Sequence, residues 1–287
     1  MLGRLFACLS LAALFAATAS AQDRELVFAV TEGVTYQATP KEIRDKFAPI
    51  ADVIAKATGR HVRTVLVPAY DDLRAGCAKQ EFDIAFVHPA HVSLAEIKSG
   101  RYKPVAWTSG FTDYTVALLM DANQPLKSID DLKGRTLVTP DPDSITAAMV
   151  RAMLRVAKLP ITNAPPTAAT TAPDPTTVRV IATRYQDAVP FYIENGFAQV
   201  GATAARAVIK AWTDKGGKVL VQSRSVPIKQ FIASSKMSAD EQAKIREALI
   251  GMIHTKPGRD ALEVVGYKGF VPPEPDVEST SITWLGL

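Results

Sequence analysis

Residues 82–91 of this chain read Phe-Asp-Ile-Ala-Phe-Val-His-Pro-Ala-His, and they decide its fold. The first six are apolar except for Asp83, which is typical of a strand buried on both faces of a sheet. Pro89 then favours a helix start, since proline fits the first helical position, where its missing N–H costs nothing. A buried strand that leads directly into a helix predicts an α/β protein with a mostly parallel sheet.

Strand and helix patterns alternate on both sides of this segment. Apolar or β-branched runs predict strands at 26–31, 61–68, 102–108, 114–120, 136–139, 178–182, 198–200 and 218–222. Helical patterns lie at 40–58, 71–79, 89–99, 144–158, 186–195, 202–215, 239–253 and 257–265. The Pro-rich segments 159–177 and 266–287 are predicted as an exposed loop and a surface tail. Two α/β units of similar size, with strands crossing between them, indicate a two-lobed protein.

The size and composition of the chain exclude several protein classes. Its 287 residues exceed the ~100–200 of a typical domain. With 47% hydrophobic and 22% charged residues, it is neither disordered, collagen-like nor a coiled coil. The formal charge of +4 is small and no basic run exceeds two residues, so nucleic acid is not an expected partner.

The N-terminus resembles a secretory signal peptide. Arg4 precedes an almost wholly apolar run at 5–17, and small residues at 19–21 predict cleavage after Ala21. The run is shorter than the ~20 apolar residues of a membrane-spanning helix, although an uncleaved anchor is the alternative. We expect an exported protein without stable membrane insertion that begins at Gln22, with 32 basic and 29 acidic residues and Cys77 as its single thiol.

No motif for a nucleotide, a metal or a nucleophilic serine stands out. The chain lacks a phosphate loop ending in Gly-Lys-Ser/Thr, a Gly-x-Gly-x-x-Gly turn and a Gly-x-Ser-x-Gly elbow. Only His88 and His91 lie close together among the four histidines, and no cysteine or carboxylate completes a metal set. We therefore expect neither a cofactor nor a metal.

Two strand-to-helix junctions could hold an anion. After the strand at 82–87, helical N–H groups would point from the sheet edge beside His88, and such groups bind anions. At 141–146, the hydroxyls of Ser144 and Thr146 could donate to an oxyanion. The alternative at both junctions is ordinary helix capping.

Cys77 lies in a predicted helix between Ala75 and Lys79. It could act as a nucleophile or a soft-metal ligand, but no histidine is an obvious partner. A small side chain that packs the helix is the favoured interpretation.

Six short segments, in order, resemble motifs of one protein family. They are Phe-Ala-Pro-Ile-Ala-Asp-Val-Ile with Thr-Gly at 47–59, Tyr-Asp-Asp-Leu at 70–73, Phe-Asp-Ile-Ala-Phe-Val at 82–87, Tyr-Thr-Val at 114–116, Asp-Pro-Asp-Ser at 141–144 and Gly-Phe-Val-Pro at 269–272. The family is the periplasmic solute-binding proteins for phosphonate, phosphite and phosphate of ABC importers. The resemblance covers about residues 26–273.

The resemblance implies the type II periplasmic-binding-protein fold. In that fold, each of two lobes is a mostly parallel sheet flanked by helices, and two crossover strands form the hinge. The chain would build lobe one with 22–111, lobe two with 112–222, and return to lobe one with a tail at 223–287.

The implied function is an exported receptor without enzymatic activity. It would capture a small oxyanion between the lobes in the periplasm and, as a monomer, deliver it to an ABC permease. The alternatives are a sensor of the same fold for a membrane histidine kinase, with a thiophilic or non-phosphorus ligand, and an enzyme that uses an activated Cys77.

The resemblance also implies a set of ligand-binding residues. It places the oxyanion against the helix start, the strand tyrosine and the loop after the second buried strand, which here are Ser144, Ile145, Thr146, Tyr114, His88, Pro89 and Ala90. Further candidates are Tyr36, Arg184 and Tyr185.

Four positions depart from the family pattern. His88 and Ala147 stand where glycine is usual. Gln186 and Gly201 stand where the family carries acids that can recognise an amino group. An aminoalkylphosphonate is therefore a less favoured ligand than another oxyanion.

Overall fold

The structure is a computed structural model that describes residues 24–32 and 39–287. The predicted signal peptide, its cleavage site and Tyr36 lie outside these residues. Within them, no helix combines the length and the apolar character that crossing a bilayer requires.

A six-stranded sheet forms the centre of lobe one. With strands numbered along the chain, it contains β1 Leu26–Thr31, β2 Val62–Leu66, β3 Ile84–Val87, β4 Tyr102–Thr108, β11 Gln230–Ser234 and β12 Phe270–Val271. Their order is β12-β4-β11-β3-β1-β2. Only β11 and β12 run against the other four.

A second six-stranded sheet forms the centre of lobe two. It contains β5 Ala117–Met120, β6 Thr136–Thr139, β7 Ile161–Asn163, β8 Val178–Ala182, β9 Val200–Thr203 and β10 Lys218–Gln222. Their order is β10-β5-β9-β6-β8-β7, and only β5 is reversed. The two sheets confirm the predicted two-lobed α/β fold.

Helices flank both sheets. The α-helices are α1 Pro40–Thr58, α2 Tyr70–Lys79, α3 Ala90–Lys98, α4 Ile145–Val156, α5 Val189–Glu194, α6 Arg206–Asp214, α7 Ala239–Gly251, α8 Lys256–Val265 and α9 Pro275–Leu285. Short 3₁₀ turns lie at Ile129–Leu132, Pro166–Thr170, Gln186–Ala188 and Met252–His254. The sequence Ser-Ala-Asp-Glu at 238–241 forms a capping box at the start of α7, since the Ser238 hydroxyl accepts from Glu241 N and the Glu241 carboxylate accepts from Ser238 N.

The strand in the opening segment is buried on both faces, as its apolar run predicts. All four residues of β3 are buried. Phe86 packs on Phe231 of β11 with ring centroids 4.8 Å apart. Asp83, the one charge in the run, accepts a hydrogen bond from Val27 N at 2.8 Å and pairs with Arg24. Its carboxylate therefore joins two chain segments without being left unsatisfied.

Two crossover segments join the lobes at 109–116 and 223–229. They pair with each other through an antiparallel bridge between Tyr114 and Val226. Ile228 N also donates to Phe111 O at 2.9 Å. The predicted lobe boundaries at 111/112 and 222/223 fall within or beside these segments and stay a prediction.

Three local predictions were wrong. The segment at 159–177 is not wholly a loop, because β7 pairs with β8 there. Residues 202–205 continue β9 and its following turn instead of starting a helix, since Ala202 and Thr203 pair with β5. The tail contains α9, which packs against α3 of lobe one and α4 of lobe two.

Gly201 gives a test of the packing in lobe two. A Cβ at this position would lie 2.4 Å from Val189 Cγ1 and 3.1 Å from Val138 Cγ1. We expect Gly201→Ala to lower the free energy of unfolding by about 1–3 kcal/mol, measured by urea titration, because overpacked cores must distort.

The matched control is Gly251→Ala at the end of α7, where a Cβ would meet no atom within 4 Å. That change should leave stability equal or up to about 1 kcal/mol higher. Equal stability of Gly201→Ala and the wild type would contradict the packing around β9.

Candidate functional site

The carboxyl edges of the two sheets face each other across the crossover segments. The first crossover leaves lobe one at the carboxyl end of β4 and enters lobe two at the amino end of β5. Because β5 is antiparallel to β9, that end of β5 lies beside the carboxyl ends of β9 and β6. Ligands in open α/β sheets bind at such edges, where helices begin.

The start of α4 presents two unused N–H groups in lobe two. Ser144 is the N-cap, and its hydroxyl accepts from Ala147 N at 3.1 Å. The N–H groups of Ile145 and Thr146 lie in the first turn and therefore have no intrahelical acceptor. Both residues are buried. Ser144 therefore caps the helix, and the two amides have no intrahelical partner at the carboxyl edge of the sheet.

Tyr114 and Thr146 are joined by a hydrogen bond. Tyr114 Oη and Thr146 Oγ1 lie 2.9 Å apart, and Gln186 Nε2 lies 3.5 Å from the same phenol oxygen. Gln186 is held from the other side by Ala204 N, which donates to its Oε1 at 2.6 Å. Burial raises the pKa of Tyr114, so the phenol stays neutral and can donate.

Arg184 and Tyr185 are not brought to this network. Both are exposed, and the Arg184 guanidinium lies over the Tyr185 ring at 5.4 Å. The next residue, Gln186, is the one that reaches Tyr114. Sequence reasoning noted it only as a missing acid, and its position directly after β8 and its short loop was the available signal.

The start of α3 supplies the corresponding junction in lobe one. Pro89 is the N-cap, with φ −107° and ψ 152°, and not the first helical residue as predicted. The N–H groups of Ala90 and His91 lie in the first turn and have no intrahelical acceptor. Pro89 offers no side chain that could accept from them instead. Ala90 and Ile145, the first residues of α3 and α4, belong to one buried apolar cluster.

His88 is held neutral beside this junction. Its backbone N–H donates to Thr31 O at 3.1 Å, and its Nδ1 is buried without a partner among the described residues. The side chain keeps a small exposed fraction, but the Nδ1 atom itself is inaccessible. Burial, with Lys229 and His91 nearby, lowers the pKa of His88 to about 3.

An ion pair that the sequence did not predict, between Glu32 and Lys229, lies next to His88. Glu32 follows β1 directly, and Lys229 precedes β11 directly. Lys229 Nζ lies 3.6 Å from Glu32 Oε1 and donates to Tyr267 Oη at 3.0 Å. The sequence did not place Lys229 at this edge, because 230–234 was not predicted as a strand.

A pocket of about 630 Å³ adjoins Tyr114 on the hinge side. Such a volume lies in the range that holds small ligands, about 300–1,000 Å³. Its lining comes from the first crossover, the start of α6 and the second crossover, and consists of Gly110, Phe111, Asp113, Tyr114, Thr115, Ala204, Arg206, Ile209, Gln222 and Ser225.

Cys77 lies in the core of lobe one. It is fully buried in a cluster with Leu73 and Phe82. Burial and the nearby Glu96 raise the pKa of its thiol to about 12, which suppresses the reactive thiolate. The described residues also contain no group of three or more histidine, cysteine or carboxylate side chains that could hold a metal ion.

Solved structures share this fold at low sequence identity. XAC2383 from Xanthomonas citri, bound to ATP, superposes with a TM-score of 0.75 at 13% identity, covering 91% of this chain and 97% of that chain. PhnD1 from Prochlorococcus marinus, in complex with methylphosphonate, gives 0.60 at 11% identity over 91% and 96%. A binding protein component of an ABC phosphonate transporter from Pseudomonas aeruginosa gives 0.56 at 15% over 92% and 86%.

A family model matches residues 33–277, which is most of the chain. Its description is the periplasmic substrate-binding protein of the phosphonate ABC transporter. The family and the type II fold that the sequence motifs suggested are thus confirmed. The chain belongs to the phosphonate family of periplasmic substrate-binding proteins of ABC transporters.

Proposed function

We propose that this solute-binding receptor captures a phosphonate, phosphite or phosphate group between its lobes and delivers the ligand to an ABC importer. The observation that carries the proposal is the convergence of α3 and α4. The two helices come from different lobes and contact each other, and their first residues, Ala90 and Ile145, belong to the same buried cluster. Two positive helix ends close together are stabilised by an anion between them.

The proposed contacts in lobe two are the amides of Ile145 and Thr146 and the hydroxyls of Thr146 and Tyr114. Ser144 keeps the helix start in place through its cap. In lobe one, the proposed contacts are His88 and the junction of Pro89 and Ala90. Neutral donors dominate this set, which suits an oxyanion and gives a cationic amino group no counter-charge. Tyr36, Arg184 and Tyr185 stay predictions.

Related structures support an oxyanion as ligand. PhnD1 from Prochlorococcus marinus holds methylphosphonate, and XAC2383 from Xanthomonas citri holds ATP, which also ends in a phosphoryl group. A family made of transporter receptors does not favour the sensor alternative.

We also propose that the protein acts as a monomer and without catalysis. Its one thiol in the described residues is buried in the core of lobe one, with its pKa raised to about 12. An activated nucleophile needs a lowered pKa or an adjacent base. The Cys77 environment therefore supports packing, not chemistry.

Export should remove the first 21 residues. The small residues at 19–21 after the apolar run suit signal peptidase, so the exported protein is expected to begin at Gln22. Intact-mass spectrometry of the protein secreted from a Gram-negative host checks this, and a mass that includes residues 1–21 would contradict it.

The ligand proposal is tested by isothermal titration of the exported protein. Phosphate, phosphite, methylphosphonate and ATP are compared with methanesulfonate and glycine. We expect saturable binding of at least one phosphorus oxyanion and none of glycine, and failure of every oxyanion to bind would refute the proposal.

Tyr114→Phe should weaken binding of the oxyanion by roughly ten- to hundredfold, since a hydrogen bond to a charged group is worth roughly 1.5–3 kcal/mol.

Tyr192→Phe is the matched control, because Tyr192 packs against the other cluster of lobe two and does not take part in the Tyr114 network. Its affinity for the oxyanion should equal that of the wild type. Equal losses in the two variants would show that Tyr114 acts through general stability instead of ligand contact.

The neutral histidines predict acid sensitivity. His88 and His91 have pKa values lowered to about 3 by burial, whereas an unfolded histidine titrates near 6.5. Only the unfolded state binds these protons between the two values. The contribution of the two histidines to the free energy of unfolding is therefore fully present above about pH 6.5. Below that pH it falls by about 1.4 kcal/mol per pH unit for each histidine.

Urea unfolding at pH 7.5, 6.0 and 5.0 measures this slope. His88→Asn should show a shallower loss than the wild type between pH 6.5 and 5, because one of the two titrating groups is gone. His61→Asn is the control, since its side chain is 82% exposed. A slope in His88→Asn as steep as in His61→Asn would contradict the burial of His88.

A further inference from the structure

The pocket beside Tyr114 is larger than a phosphoryl group needs. Its volume of about 630 Å³ lies in the range of cavities that enclose a whole organic ligand. Phosphate, phosphite and methylphosphonate are far smaller and would leave most of this space to water. The pocket therefore has room for an organic substituent attached to the phosphorus group.

Two residues connect this pocket to the proposed oxyanion contacts. Tyr114 lines the pocket, and its phenol oxygen lies 2.9 Å from Thr146 Oγ1. Ala204 also lines the pocket, and its backbone N–H donates to Gln186 Oε1 at 2.6 Å. Gln186 Nε2 in turn lies 3.5 Å from the Tyr114 phenol oxygen. One hydrogen-bonded network thus borders both the pocket and the start of α4, so a ligand held at that helix start can extend into the pocket.

The charges of the pocket lining cancel. Of its lining residues, Asp113 and Arg206 are charged, and they form an ion pair at 3.4 Å with side chains 67% and 84% exposed. A substituent of either sign would meet one like charge beside one opposite charge, so neither sign gains a net attraction. The pocket therefore favours a neutral substituent over a carboxylate or an ammonium group.

The rest of the lining combines hydrogen-bonding groups with apolar surface. Gln222 Nε2 donates to Thr115 Oγ1 at 2.9 Å, which leaves the hydroxyl proton of Thr115 and the carboxamide oxygen of Gln222 for a ligand. Ser225 adds an exposed hydroxyl, and the partly buried Phe111 and Ile209 add apolar surface. A hydroxylated carbon chain matches both, because its hydroxyls form hydrogen bonds while its C–H groups contact the apolar side chains.

We propose that the ligand is a phosphoryl compound with a neutral, hydroxylated substituent of the glycerol or sugar type, and that this pocket holds the substituent. The inference rests on the proposed function, in which the starts of α3 and α4 hold the phosphoryl group. Phosphate monoesters and phosphonates share this chemistry. A plain alkyl substituent would displace water from the polar lining without replacing its hydrogen bonds, which lowers affinity.

Matched ligand pairs test the pocket on the wild-type protein. Glycerol 3-phosphate is compared with propyl phosphate, and 2,3-dihydroxypropylphosphonate with propylphosphonate, so that each pair differs only by two hydroxyls. We expect the hydroxyls of at least one pair to tighten binding about tenfold, measured by isothermal titration, which corresponds to about 1.4 kcal/mol. Equal or weaker binding of both hydroxylated ligands would overturn the proposal.

Charged substituents test the balance of the lining. Phosphonoacetate and 2-aminoethylphosphonate are titrated beside ethylphosphonate. Neither should bind more tightly than ethylphosphonate, because the pocket has no net charge to offer. Tighter binding of either one would overturn the neutral substituent.

Ser225→Trp locates the substituent. Ser225 is an exposed residue of the second crossover, and an indole there would occupy part of the pocket. The preference for the hydroxylated ligand should be lost, while the affinity for phosphate should stay within about twofold of the wild type. The control is Ser279→Trp, at an exposed serine of α9 outside the pocket lining, which should keep both.

Gln222→Leu is a milder second variant. The Gln222 side chain is exposed, so the change removes its carboxamide while the fold should persist, as thermal melting would show. The preference for the hydroxylated ligand should fall about threefold. An unchanged preference in either folded variant overturns the assignment of this pocket, and Gln222→Leu decides if Ser225→Trp does not fold.

The outcomes separate this inference from the proposed function. Binding of phosphate and of the alkyl compounds without a preference for hydroxyls overturns the pocket assignment and leaves the function standing. Failure of phosphate and of every phosphate ester and phosphonate to bind refutes both.

Discussion

The pairing of the two crossover segments is the constraint on which the site depends. The bridge between Tyr114 and Val226 holds the two connections side by side. Because the first crossover leaves β4 at its carboxyl end and β5 is antiparallel to β9, the pairing directs the carboxyl edges of both sheets toward one gap. Every junction of the candidate site lies on one of those edges. A reversed β5 would have turned the helix starts of lobe two away from lobe one.

Electrostatics then decides what this gap can hold. The polar groups at this edge of lobe two are amides, hydroxyls and the carboxamide of Gln186, whereas lobe one contributes a neutral His88 and the ion pair of Lys229 with Glu32. Burial keeps His88 uncharged, so it donates or accepts without adding to the repulsion from Lys229. The positive ends of α3 and α4 thus lie beside neutral donors. Helix starts of this kind stabilise anions and disfavour cations.

The sequence was sufficient where the signal was local, and failed where it was not. The run at 84–87, the capping box at Ser238 and the cap at Ser144 are each decided by neighbouring residues, and the structure has them. β11 lies at the centre of lobe one, yet its partners are more than a hundred residues away, and its five residues carry no periodicity of their own. Without β11, Lys229 could not be placed beside His88. Gln186 was likewise noted only for the acid it replaces, because its contact with Tyr114 exists only after folding.

The lobes contact each other through an exposed ion pair and through apolar side chains. Arg74 and Asp143 form an ion pair across the lobes at 3.6 Å, with side chains 38% and 58% exposed. Exposed pairs of this kind contribute about 0–1 kcal/mol. α9 also contacts both lobes, through α3 and α4, and Ala90 and Leu94 of lobe one belong to the buried apolar cluster of lobe two. Burial of apolar surface is therefore the larger contribution to the contact between the lobes, and it keeps α3 and α4 beside each other. A ligand that touches both lobes at once would favour whichever arrangement of the lobes it binds better, because an equilibrium shifts only through such a difference in affinity.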